Sequence, residues 1–184
     1  MDEIAVANNF PMNSLGISIP YTYCSESVAL NWNDILFAIK NNFLPHQSAI
    51  EHAISKLEND DYPQIVLDLA CLTQKEAVYP HSIHPYIDEL ANLETEDEKN
   101  KTKDKIMYVL LKWVFANREC YEEPLQVVQF IYDDFDFPKQ ISSFAGYMLT
   151  EPDLGLIELN EQRALDNWKT FLDEQDNKYG RLQW

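Results

Sequence analysis

The sequence predicts an all-α fold: an irregular array of about seven helices behind an extended N-terminal arm. Three observations carry this. From Asn31 onward, apolar residues recur at helical spacing. Glycine is scarce, at four of 184 residues, which disfavours all-β folds and phosphate-cradling loops. Prolines stand near helix starts, as at Pro45, Pro63, Pro85 and Pro124. The length fits a single domain over 1–184, with the arm at 1–29 and the helical body at 30–176.

Taken in order, the arm has no lysine or arginine. Its alternation of Ile17, Ile19, Tyr21 and Tyr23 fits either one short strand or an extended segment packed on the body. Trp32, Ile35, Leu36 and Ile39 share one helical face. Ile50, Ala53, Ile54 and Leu57 mark the next helix. Asp61 is placed to cap a third, with Pro63 in its first turn and Ile65, Val66, Leu69 and Ala70 inside. A short helix opened by Pro85 carries Ile87, Leu90 and Ala91. The longest helix is expected from about Thr95 to Asn117, and its apolar second half, KIMYVLLKWVFA, marks the buried centre. Pro124 opens another, with Leu125, Val128, Tyr132 and Phe135 inward. A last helix shows Leu165, Trp168 and Leu172. Pairs of such helices can stack as a superhelix or close as a bundle; no repeat of fixed period decides between them.

Charge narrows the partners. The chain carries 31 acidic and 14 basic residues, a net of −17. Nucleic acid and anionic membranes are poor partners for it, whereas a cationic protein is steered toward it. The stretch from Glu119 to Glu161 holds ten acids against Lys139 alone, a local net of −9. Three widely spaced cysteines, an acidic N-terminus and no apolar run of spanning length point to a reduced, cytoplasmic protein. Cys71, inside LDLACL, reads as a core residue.

The densest motif is YDDFDFP, residues 132–138. Asp133 and Asp136 sit one turn apart and, with a histidine, would suit a metal-dependent hydrolase. No calcium-loop glycine and no further run of oxygen ligands accompanies them. In the structural alternative Phe135 and Phe137 bury, the aspartates turn outward, and Asp136 or a neighbour caps the segment after Pro138. Aspartates at a helix C-terminus oppose the helix dipole, so that placement suggests the charges are wanted there. No serine elbow, P-loop or dinucleotide fingerprint occurs, and the sequence makes no positive case for an enzyme, a cofactor or a resident metal.

The segments LNWNDILFAIKNNFL, LLKWVFANRECYEEPLQVVQFIYDDFDFPKQISSFAGYM and NWKTFL together resemble the bacterial family catalogued as domain of unknown function 2247, over roughly residues 28–173. In the most specific part the family usually has tyrosine where this chain has Phe137. The resemblance implies an immunity protein of a contact-dependent growth inhibition system. The expected partner is a cognate toxin's C-terminal domain, a basic nuclease and specifically an EndoU-like RNase, bound by a monomer in a heterodimeric complex. The expected contact residues are Asp133, Asp134, Asp136, Glu122 and Glu123, with Asp60 and Asp61 on a competing acidic turn. The alternative is a helical scaffold or adaptor with an exposed apolar groove.

Overall fold

The computed structural model describes residues 12–58, 61–145 and 157–180. Among these are ten α-helices: α1 (Tyr21–Ser27), α2 (Trp32–Lys40), α3 (Ser48–Lys56), α4 (Gln64–Ala70), α5 (Gln74–Ala77), α6 (Pro80–Asn92), α7 (Glu96–Ala116), α8 (Pro124–Asp134), α9 (Ser142–Ala145) and α10 (Ile157–Tyr179). Two 3-10 turns, Arg118–Cys120 and Lys139–Ile141, complete them. The all-α class is as expected, with more and shorter helices. The described residues contain no strand, only an isolated bridge between Val28 and Gly180. Tyr21 and Tyr23 belong to a helix, which corrects both the strand and the fully extended arm.

α7 is the centre, and α2, α8 and α10 pack on it. α6 joins the other side of α2 and carries α4 and α5, while α3 lies on α4. Tyr108, Leu111 and Val114 of α7 are fully buried, as its all-round apolar second half requires. α10 closes that half: Trp168 meets Phe115 edge-to-face at 5.0 Å and stacks on Phe144 of α9. α10, at 23 residues, is longer than the 21-residue α7.

The helix starts show where local rules held. Thr95 and Thr73 form capping boxes with Glu98 and Glu76. Asn31 does so with Asp34, and here the cap reaches the core. Asp34 Oδ2 accepts from the Asn31 N–H at 2.9 Å and from Lys105 Nζ at 2.5 Å. Its Oδ1 accepts from the Thr102 hydroxyl at 2.9 Å. Glu94, just beyond α6, accepts from the Trp32 and Asn33 N–H groups and from Asn33 Nδ2. The first N–H donors of α2 are thus satisfied by Glu94, in the connection between α6 and α7, and by the Asn31 side chain.

Other starts differ from expectation. α6 begins at Pro80, and Pro85 lies inside it. Pro63, not Asp61, is the N-cap of α4, with no side-chain cap bond. Cys71 is exposed at the end of α4 rather than buried in the core. Cys24 is the buried thiol, and burial pushes its pKa up to about 12.

Candidate partner-binding face

The YDDFDFP motif is a helix end, and its chemistry begins with the backbone. α8 stops because the chain turns left-handed at Asp136 (φ 62°) and Phe137 (φ 56°). The Asp136 N–H donates to the Asp133 carbonyl at 3.2 Å, and the Phe137 N–H donates to the Tyr132 carbonyl at 2.9 Å. This is the Schellman pattern, completed by a Tyr132–Phe137 ring contact at 5.3 Å. Glycine usually occupies the first left-handed position. Here an aspartate holds it, followed by a phenylalanine in a conformation that is rare for a bulky residue.

The same device ends α2, where Asn42 has φ 60° and Phe43 N–H donates to the Ala38 carbonyl at 2.8 Å. The two ends meet: Phe43 stacks on Phe135 at 5.9 Å, and Phe37 flanks both at 6.5 Å. The segment entering α1 is tied across both ends. Asn13 Nδ2 donates to the Asn42 carbonyl at 3.2 Å. Both the N–H and the hydroxyl of Ser14 donate to Asp134 Oδ2, at 2.8 and 2.9 Å.

The three aspartates therefore differ. Asp134 is half-buried and committed to Ser14. Asp136 pairs with Lys103 of α7 at 2.7 Å yet keeps 82% of its side chain exposed. Asp133 is exposed and accepts from Gln129 one turn earlier at 2.9 Å. Asp136 does not cap the following turn, whose N-cap is Pro138. Phe135 buries as expected, but Phe137 does not: it is 59% exposed. Phe130, on the outward side of α8, is 40% exposed.

Glu122 and Glu123 are exposed at the other end of α8, with Glu123 as its N-cap. The 11-residue helix separates them from Asp133 by roughly 15 Å. A single protein partner can cover that span. Asp61 is exposed before α4, which packs on α3 and α6, whereas α8 packs on α7 and α9. It belongs to a different part of the surface. Asp60 lies outside the described residues, as do Gly146, Tyr147 and Met148 of the SFAGYM segment.

No group of three or more His, Cys, Asp or Glu side chains gathers to hold a metal among the described residues. No helix there is long and apolar enough to cross a membrane. Sequence reasoning named the acids and looked to YDDFDFP for aromatic anchors, but it did not name Phe130. Phe130 was legible: it falls off the Leu125–Val128–Ile131 stripe that α8 buries.

The family model described as "Uncharacterized protein conserved in bacteria (DUF2247)" matches residues 21–176. The chain belongs to that family. Within this DUF2247 chain the match takes in α1 through most of α10, and so the whole of the α8 face. No curated protein and no solved structure matches the chain.

Proposed function

We propose that this DUF2247 chain is an immunity protein. It binds and neutralises a cognate, basic toxin domain in the bacterial cytoplasm and performs no catalysis of its own. The partner is a nuclease, in the most specific form an EndoU-like RNase.

One observation carries the reading: two exposed phenylalanines, Phe130 and Phe137, share α8 and its end with Glu122, Glu123, Asp133 and Asp136. A nuclease site that holds phosphates is cationic. A complementary surface needs carboxylates for steering and desolvated aromatics for affinity. Long-range charge supports the same partner, since −17 on 184 residues attracts a basic domain.

The test is co-expression with the C-terminal domain of the protein that the neighbouring gene encodes. Growth rescue together with a co-purified complex is the expected result. Arrested growth with no complex overturns the reading for that pair.

The scaffold alternative rests on a different feature. A cleft of about 220 Å³ between α3 and α4 is lined largely by Ile50, Ile54, Ala70 and Leu72, and Ile54 is 53% exposed. Binding that survives high salt and is lost in Ile54→Asp would favour it.

A further inference from the structure

A second cavity, of about 320 Å³, lies between α2 and the first half of α7. That volume is within the range of small-molecule sites. Its wall includes Leu36, Phe37 and Thr102, together with Lys40, Lys99 and Lys103. Among the described residues no carboxylate lines it, although acids make up 31 of the 184 residues of the chain. Three of the chain's 14 basic residues converge on one apolar hollow of a strongly acidic protein.

The lysines come from two helices. Lys99 and Lys103 are one turn apart on α7, a spacing at which like charges repel. Lys40 closes α2 on the facing side. Each is held by an acid outside the wall: Lys40 by Asp88 at 2.7 Å, Lys99 by Glu96 at 3.8 Å and Lys103 by Asp136 at 2.7 Å. All three side chains are at least 40% exposed. Exposed pairs of this kind contribute little and exchange partners readily. An anion in the hollow can therefore recruit the ammonium groups without breaking the fold. The apolar part of the wall, Leu36 and Phe37, requires that the anion carry an apolar body.

We propose that this hollow is a binding site for a small amphipathic carboxylate, its head among Lys40, Lys99 and Lys103 and its tail against Leu36 and Phe37. The site is separate from the face assigned to the protein partner, although Lys103 touches both through Asp136.

The test is isothermal titration calorimetry of the full chain with dodecanoate and dodecyltrimethylammonium, each below its micelle concentration, and with dodecanol below its solubility limit. Dodecanoate is expected to bind at one site, and the neutral and cationic chains at least about tenfold more weakly. Lys99→Gln/Lys103→Gln is expected to weaken dodecanoate by about tenfold or more at unchanged helicity and melting temperature. Should that variant melt early, Lys40→Gln on the opposite helix supplies the same comparison. No dodecanoate heat, equal binding of the cationic chain, or undiminished binding by the lysine variants overturns the proposal.

Discussion

Asp136 sets an exposed charge at a position where the backbone favours glycine. Its left-handed conformation suits glycine, and its ion pair with Lys103 is largely exposed, worth at most about 1 kcal/mol. Asp136→Gly is expected to leave the melting temperature unchanged or slightly raised while weakening capture of a basic partner. A large loss of stability in that variant would mean that the aspartate serves the fold. Asp34 is the opposite case. It is fully buried; burial pushes its carboxyl up, and Lys105, the Asn31 N–H and the Thr102 hydroxyl pull it back. Asp34→Ala would strand Lys105 in the core, and removing one member of such a pair costs about 3–5 kcal/mol. Urea denaturation should show a loss of that size. Lys101→Ala, removing an exposed pair with Asp97, should leave the urea midpoint essentially unchanged.

At the scale of elements, most helices were legible because amphipathic spacing and caps are local signals. Thr95 and Pro124 marked their helices to within a residue. The exceptions share a physical cause. Tyr21 and Tyr23 alternate like a strand, yet the edge-to-face contact of Tyr23 with Trp113 of α7 at 4.8 Å fixes them on a helix; that partner lies 90 residues away. Pro85 reads as a helix start, but a stronger one, Pro80, sits one turn and a half earlier. The candidate site was half legible. Acids can be counted in a sequence, whereas the exposure of Phe137 depends on a left-handed turn that neither Asp136 nor Phe137 announces. A contact between elements also predicts a pH response. His46, ahead of α3, stacks on His84 of α6 at 5.4 Å. Burial and the neighbouring His84 hold His46 below its usual value of 6.5. The fold therefore prefers the neutral ring, and its contribution is complete above about pH 6.5 and lost as pH falls through the lower folded value. The urea midpoint should drop between pH 7.5 and 5, and less so in His46→Gln.

For the molecule as a whole, charge and contact should separate kinetically. If the α8 face takes a basic domain, neutralising Asp133 and Asp136 should slow association and reduce its salt dependence. Phe137→Ala should act mainly on dissociation, since desolvated aromatic anchors set residence time. Stopped-flow mixing at two ionic strengths distinguishes the two; a Phe137 variant with unchanged dissociation would move the anchor elsewhere. The central position of α7 bears on a different moment in the life of the chain. Its apolar half is complete at Ala116, but the helix that covers it, α10, ends about 60 residues later. At ribosomal speeds of about 5–20 residues per second, that is a wait of roughly 3–12 s. During that interval KIMYVLLKWVFA has only its earlier neighbours and, once it is made, α8 to shelter it. A nascent chain stalled before Trp168 should therefore be a chaperone client, and one released there should aggregate.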